Sequence, residues 1–427
     1  MNDVRGFSLN NYKSFLKETG GVQIECRPLT LFYGRNHAGK SALIRALGFL
    51  VHSLRQAQSQ RSASGELLHF DFTALSESTF DDIKSHGSGE TIEFSLDFNV
   101  NSSTEPVRLK WIIRRLNGTS RLVVDTFEAR CSAESLTAEY RPNDQGEDAY
   151  QMKKDSGEPT EVPGTVFEQL LPTLSPDPKT DQWRDRLAAI RVPNVQWLSP
   201  SRAHVERAFA LVASPTTIGP DGSGFEQILA READSSTSRP LLNSLSAWLR
   251  AHLGLSLEVR PNGSMRELIC RPVKDEGNPV NIVDAGQGVQ ELLPLLTFLF
   301  QKKAGPTISL IEEPESHLHP DLHASLGELF AQHVKQHPTQ MLMVETHSAN
   351  LLLSLRLQIA QGILPPESLV VYWLRWSHEG FSQADKLTFD AMGRPIGTWP
   401  SGVFSEDVEQ ARRLRYLQKL KTEDHAL

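Results

Sequence analysis

Apolar and polar residues alternate along Phe7 to Phe15 and Val22 to Arg27, as in a half-buried hairpin, with Gly20-Gly21 near the turn. Leu29 to Tyr33 is an apolar run that reads as a third strand, followed by a helix from Ser41 to about Ala57 and a polar loop from Gln58 to Gly65. From Glu90 the texture changes to short alternating segments, Thr91 to Val100, Val107 to Leu116, Arg121 to Ala129 and Leu136 to Tyr140, with the tight-turn signal Asn117-Gly118 between two of them. That predicts an antiparallel region. Pro142 to Pro163, with its glycines, prolines and charges, reads as a loop or a weakly ordered hairpin.

Helix is expected at Val166 to Leu171, at Asp181 to Ile190 and over Gly224 to Leu253 with a break at Asp234 to Pro240, and a short strand at Val195 to Leu198. Strands return at Ser256 to Arg260, Glu267 to Arg271 and Pro279 to Val283. The last third then alternates: helix near Gln287 to Lys302, strand Thr307 to Ile311, helix Asp321 to Gln336, strand Gln340 to Val344, helix Ser348 to Gln361, strand Leu369 to Leu374. Such alternation is the mark of a parallel sheet covered by helices, so the class is α/β with an added antiparallel β region. No internal repeat and no sustained heptads appear, which excludes a long coiled-coil arm.

Composition narrows this only a little. A chain of 427 residues with 39% hydrophobic and 22% charged residues is ordinary for a soluble protein, and no apolar run approaches the ~20 residues of a membrane span. The start, Met1 to Phe7, lacks the build of a signal peptide, so a cytoplasmic location without membrane contact is expected. Cys26, Cys131 and Cys270 have no paired spacing and argue against a disulfide framework or a zinc site. A net charge of −8 leaves nucleic-acid contact to local patches. The candidates are Lys110 to Arg121 and the tail Arg412 to Lys421, each read first as a solvated face.

The chemistry sits at the strand ends. Gly34-Arg35-Asn36-His37-Ala38-Gly39-Lys40-Ser41, entering the helix at Ala42, is strand, glycine loop and helix in that order. Successive backbone N–H groups and the helix dipole would cradle a phosphate there, with Lys40 reaching the β and γ phosphates and the Ser41 hydroxyl on Mg²⁺. Ile308 to Ile311 leads into Glu312, Glu313 and Glu315, a buried-type strand ending in acids where open α/β sheets bind ligands. Glu312 is expected to hold Mg²⁺, directly or through water, opposite Ser41, and Glu313 to take a proton from the attacking water. His347 ends the next strand and would sense the γ-phosphate. Asp284 to Glu291 is a second glycine turn at a strand-to-helix junction, and one nucleotide does not need two such cradles. The economical arrangement is a dimer in which Gly286, Gln287 and Gly288 cover the nucleotide of the other copy. His317, His319 and His323 have loose spacing and no fourth ligand for zinc.

This set, in this order, resembles the ABC-type P-loop ATPases of the RecF, SMC and overcoming-lysogenization-defect superfamily over nearly the whole chain. The resemblance makes Gly34 to Ser41 the Walker A loop, Asp284 to Glu291 the signature loop, Ile308 to Glu313 the Walker B strand, His317 to Pro320 the D-loop and His347 the switch histidine. Asn11 to Phe15 looks like the family's first hairpin. Glu313 to Pro320 and Trp399 to Glu406 are similar to stretches of the compact bacterial AAA-15/AAA-21 branch. Glycine is usual where His37 stands, and the signature loop lacks the Ser-Gly-Gly-Gln of transporter subunits. The nearest candidate for a glutamine loop is the region Asp71 to Gly87.

The resemblance implies one ATPase domain over residues 1–400, built from both ends of the chain, with a β-rich part at about 90–200, a signature and Walker B half at about 255–376 and a helical tail at 401–427. It implies ATP and Mg²⁺ as cofactors, with Lys40, Glu313 and His347 catalytic, and an ATP-dependent homodimer. Hydrolysis would act on DNA or on a separately encoded effector, such as a nuclease, in anti-phage defence or DNA maintenance. The alternative is a regulatory ATPase subunit of a nuclease complex, with no nuclease site in this chain, because only about 50 residues follow the last core strand and they lack spaced acidic motifs.

Overall fold

The computed structural model describes residues 4–59, 66–72, 78–86, 89–100, 106–132, 134–142, 148–155, 169–174, 180–212, 217–235, 238–274 and 278–397, with isolated positions besides. The tail expectation, including Trp399 to Glu406, lies almost wholly outside them, and the Asp71 to Gly87 region partly so. In chain order the first half runs β1 (Val4–Asn10), β2 (Val22–Glu25), β3 (Leu29–Gly34), α1 (Lys40–Ser59), α2 (Phe80–Ile83), β4 (Thr91–Phe98), β5 (Val107–Arg115), β6 (Leu122–Cys131), β7 (Glu134–Tyr140), β8 (Tyr150–Lys154), β9 (Thr160–Glu161), α3 (Asp181–Ala189), β10 (Asn194–Leu198) and β11 (Phe209–Ala210). The second half runs α4 (Phe225–Ser235), α5 (Pro240–Leu253), β12 (Leu255–Asn262), β13 (Met265–Pro272), β14 (Val280–Asn281), α6 (Gln287–Phe300), β15 (Thr307–Glu312), α7 (Pro320–Gln336), β16 (Gln340–Thr346), α8 (Ala349–Ala360), β17 (Leu369–Trp376), β18 (Ser382–Phe389) and β19 (Pro395–Ile396).

An antiparallel sheet takes the order β2-β1-β4-β5-β6-β7-β8-β9, and a mixed sheet the order β10-β15-β16-β3-β17-β18-β19. In the second sheet β10 through β17 pair in parallel, and β18 and β19 turn back antiparallel. A small sheet joins β11, β13, β12 and β14. The fold is therefore α/β of P-loop type with an added antiparallel sheet, and among the described residues the longest helix has 20 residues, too short for a coiled-coil arm. Among those residues no helix is long and apolar enough to cross a membrane.

Side-chain alternation splits the mixed sheet between two cores. Phe32, Ile308, Leu310, Met341 and Met343 face α1 and the antiparallel sheet, whereas Leu31, Ile311, Leu342 and Val344 face the core that holds residues of α6, α7 and α8. Both faces of β15 and β16 are covered, so these strands read as unbroken apolar runs. Their acids can appear only where the strands end.

Two expectations are corrected. β1 stops at Asn10 instead of Phe15, because Asn11 and Lys13 adopt left-handed backbone with φ of 58° and 49°. The described residues of Val166 to Leu171 are not helical. So short a segment cannot hold a helix by itself; instead Leu170 O accepts the indole N–H of Trp111, and Phe167 stacks among Phe127 and Tyr150. Of the two readings of Pro142 to Pro163, loop or hairpin, the hairpin is the one found, with β8 and β9 paired antiparallel.

The basic stretch on β5 and β6 is neutralised by acids of the same sheet region. Lys110 pairs with Glu93 at 2.8 Å, Arg114 with Asp125 at 2.7 Å and Arg115 with Asp81 at 2.7 Å, and Arg121 pairs with Asp148. It is an ion-paired face, as the solvated-face reading has it.

One buried histidine makes stability pH-dependent. His333 on α7 is 4% exposed and its Nε2 bonds Gln340 Oε1 at 2.9 Å. Burial, with His337 beside it, holds His333 down at about 4. The unfolded chain binds that proton more readily, so the contribution is full above about pH 6.5 and is lost as pH falls toward about 4. A loss of about 2 kcal/mol is expected between about pH 7 and about pH 5. Urea denaturation should show His333→Gln removing most of that slope.

Candidate functional site

β3 lies between β16 and β17 in the mixed sheet, and its C-terminal end opens into the glycine loop. Two glycines there are forced by space. A Cβ at Gly34 would stand 2.3 Å from the carbonyl oxygen of Leu374, and one at Gly39, whose φ is +95°, would meet Ser382 Oγ at 2.8 Å and Phe15 at 3.0 Å. His37 takes the left-handed backbone expected of a glycine there, with φ of 65°. Arg35, Asn36 and His37 are exposed at the tip, and Ala38 is buried beneath it. Ala42 continues into α1, partly buried.

Helix α1 presents Ser41 and Arg45, one turn apart, to the acids that end the neighbouring strands. Glu312 and Glu345 are register partners across β15 and β16, and Glu345 is in turn the partner of Phe32 on β3. Period two puts both acids on the α1 face with Leu310 and Met343. Each then meets a different residue of α1. Ser41 Oγ donates to Glu345 Oε1 at 2.9 Å. Arg45 binds Glu312 through two parallel bonds, 2.8 and 2.6 Å, and Trp197 Nε1 donates to the same carboxylate at 2.9 Å. Ser41 thus bonds Glu345, while Glu312, expected to share a cation with Ser41, is bonded to Arg45 and Trp197.

Lys40 is 3% exposed, donates to Arg35 O at 2.9 Å and stands 3.7 Å from Glu345 Oε1. Burial, opposed by Glu345, Glu313 and Glu315, lowers its pKa. Glu345 is pushed up to about 7, first by burial and then by the charge of Glu312. Its Oε2 is buried without a hydrogen-bond partner among the described residues.

Glu313, just past the strand, has a φ of 46°, and its N–H donates to Glu345 O at 2.9 Å. This left-handed kink re-aims its side chain, a strained arrangement of the kind that collects at functional sites. Glu313 Oε1 is 3.7 Å from His347 Nε2, and its Oε2 accepts from Ser316 Oγ at 3.1 Å. His347 is held by Glu315, whose Oε1 accepts from the His347 N–H at 2.6 Å and from Thr346 Oγ1 at 2.7 Å. Burial and then the Lys40 charge keep the His347 pKa below its ordinary value. Ligand atoms of Glu313, Glu345 and His347 lie within 4.8 Å of one another.

The second glycine turn packs on the D-loop. A Cβ at Gly288 would meet His317 O at 3.0 Å, and His317 Nε2 is 3.6 Å from Glu291. Gly286 is the N-cap of α6, without a side-chain cap and with nothing within 4 Å of a Cβ there. Gln287 Nε2 donates to Glu291 at 3.0 Å, and Asp284 is paired to Arg207. The histidines His319 and His323 have other duties: His319 caps α7, and His323 bonds Ser348 Oγ and Leu318 O.

Sequence reasoning gave no role to Glu345 or Arg45, and gave Glu315 only a place among the acids that end the strand. A signal for Glu345 existed, since Met341, Met343 and Glu345 share a face as Ile308, Leu310 and Glu312 do. A fourth such residue is Arg202. Its Nε and Nη1 are buried without hydrogen-bond partners among the described residues, and burial, opposed by Glu291 and Glu312, holds it down at about 10.

Two protein-family models match the chain, an AAA ATPase domain over residues 225–352 and an AAA domain over residues 7–158. No curated protein matches it by sequence. Among solved structures it is similar to an SMC head bound to the C-winged helix domain of ScpA, at 14% identity and a TM-score of 0.46, covering 91% of this chain and 98% of that one. It is also similar to the SMC head domain from Thermotoga maritima, at 13% identity and 0.40, covering 93% and 100%. A third is the Pyrococcus furiosus Smc head domain with an extended coiled coil bound to the C-terminal domain of ScpA, at 13% and 0.45, covering 99% and 100%. These likenesses are remote, and the site stands on this chain's own residues. Family matches thus fall on both motif-bearing parts of the chain and support an AAA-type ATPase, the activity that the resemblance to ABC-type ATPases implies.

Proposed function

We propose that this chain is a nucleotide-gated switch that binds ATP with Mg²⁺ in the Gly34 to Ser41 loop, closes into a head-to-tail dimer around two nucleotides and reopens on hydrolysis. One observation carries the reading: the buried Lys40 shares its surroundings with Glu345, Glu313 and His347, so a phosphate cradle, acids and an imidazole meet at adjacent strand ends.

Lys40 leaves Arg35 O for the β and γ phosphates when nucleotide enters. Glu313 takes the proton of the attacking water, and His347, neutral near pH 7, senses the γ-phosphate beside it. The hydroxyl and carboxylate donors around Ser41 fit a hard, oxygen-seeking cation such as Mg²⁺, and the unpartnered buried oxygen of Glu345 is what such an ion would satisfy. When bound there, such a cation would supply neutralisation of charge on the phosphates. The free N-terminus of α6 at Gly286, open to solvent, supports the second half of the reading, because an uncapped helix start attracts a phosphate supplied from outside.

The work of the cycle is passed to DNA or to a separately encoded effector such as a nuclease, in anti-phage defence or DNA maintenance, from a cytoplasmic location. ATPase rates with and without duplex DNA separate the two outlets: strong stimulation assigns direct DNA action, and none assigns a protein partner. Lys40→Ala is expected to abolish nucleotide binding, read by titration with a fluorescent ATP analogue. Retention of wild-type affinity would overturn the cradle.

A further inference from the structure

Magnesium at a phosphate loop is held by one or two side chains together with phosphate oxygens and water. Ser41 is one of them by position. The sequence offers two acids for the other, Glu312 and Glu345, which stand side by side across β15 and β16. Their environments separate them.

Three of the roughly four lone-pair sites of Glu312 are taken by the protein's own donors. Arg45 takes both oxygens in a forked pair, and Trp197 takes a further site on Oε1. Charge-assisted bidentate pairs are among the strongest contacts a carboxylate makes, and a cation at Glu312 would have to compete with the Arg45 charge beside it. Glu345 is in the opposite condition. It is 3% exposed, one oxygen accepts from Ser41, and the other has no hydrogen-bond partner among the described residues. A buried carboxylate oxygen left bare is costly unless something absent from the free chain completes it. Its cationic neighbour, Lys40, is the residue that nucleotide phosphates draw away.

We propose that Glu345, and not Glu312, is the carboxylate that joins Ser41 in holding the nucleotide's divalent cation, and that Glu312 serves instead to fix α1 to β15 through Arg45. This assignment rests on the ATP-binding reading above. Glu345 couples the cation to the switch, because its own backbone carbonyl holds the Glu313 N–H and His347 follows it by two residues. A shift of β16 on cation binding is passed directly to the general base.

The test uses the full chain with a non-hydrolysable ATP analogue, and Mn²⁺ as the probe, its binding followed by electron paramagnetic resonance. Nucleotide affinity is measured separately in EDTA. Glu345→Gln is expected to weaken Mn²⁺ binding to the nucleotide complex by at least about tenfold, the lower end of what loss of even a supporting outer partner costs, with metal-free nucleotide affinity retained. Glu345→Asp, which keeps the charge on a shorter stem, should recover part of the loss, and Glu312→Gln should leave Mn²⁺ affinity within about twofold, well inside that ligand effect. Wild-type Mn²⁺ affinity in Glu345→Gln, or a loss confined to Glu312→Gln, overturns the assignment while nucleotide still binds. Should Glu345→Gln fail to fold, the Asp variant decides: an unaltered Mn²⁺ affinity and an unaltered Mn²⁺ spectrum count against it. Absence of nucleotide binding by the wild-type chain is a different failure, that of the ATP-binding reading itself.

Discussion

Glu313→Gln is expected to slow ATP turnover by about 10²–10⁴-fold while leaving ATP bound. The substitution keeps the volume and the Ser316 Oγ contact, since an amide oxygen accepts that bond at 3.1 Å as well as a carboxylate does. It removes the capacity to take a proton from water. It also removes the charge that faces His347 Nε2 at 3.7 Å, so the imidazole is held still more firmly in its neutral form. Binding depends on the cradle and on Lys40, which the change does not touch. If two copies close around ATP and open only on hydrolysis, the variant accumulates as a dimer with ATP and Mg²⁺, and light scattering behind gel filtration will show twice the monomer mass. A monomer under those conditions, with ATP bound, breaks the link between the nucleotide and dimerisation. Normal turnover removes Glu313 from the role of base.

Much of this was legible in the chain because each motif is tied to a local physical demand. Gly34 and Gly39 stand where a Cβ has no room, so the loop declares itself by spacing alone. β15 and β16 declare themselves as apolar runs because helices and a second sheet cover both of their faces. What escaped depends on contacts distant in sequence. The Arg45 and Glu312 pair spans 267 positions and the Ser41 and Glu345 bond 304, and neither separation leaves a mark in any local window. Glu345 was overshadowed by the histidine two residues on, although its face was readable from Met341 and Met343. β18 was missed for a different reason. Its burial pattern alternates poorly, with only Ser382, Leu387 and Phe389 buried, because it pairs antiparallel toward the edge of the sheet, with only the short β19 beyond it.

Arg45→Ala is expected to cost about 3 kcal/mol of folding stability, well beyond the loss of a surface ion pair. Glu312 is 1% exposed, and without its partner the carboxylate must either stay charged in a poorly solvated place or take up a proton to relieve it. The guanidinium also lies 5.5 Å from the Trp197 ring centroid, a contact worth about 0.5–1 kcal/mol by itself. Changing both partners tells a different story. Arg45→Met with Glu312→Gln keeps the side-chain volumes near their originals and leaves an amide oxygen to accept the Trp197 N–H. Replacing a buried pair in this way is often close to neutral, so the double variant should recover to within about 1 kcal/mol of wild type in urea denaturation. A double variant as unstable as the single one would mean that the cost lies in the lost bonds of the pair and not in the acid left unpaired. The same proteins bear on the cation. Were Glu312 a metal ligand restrained by Arg45, removing the arginine would release it and tighten Mn²⁺ binding to the nucleotide complex. The pairing seen here, with Ser41 committed to Glu345, requires the stability loss to come with no gain in metal affinity.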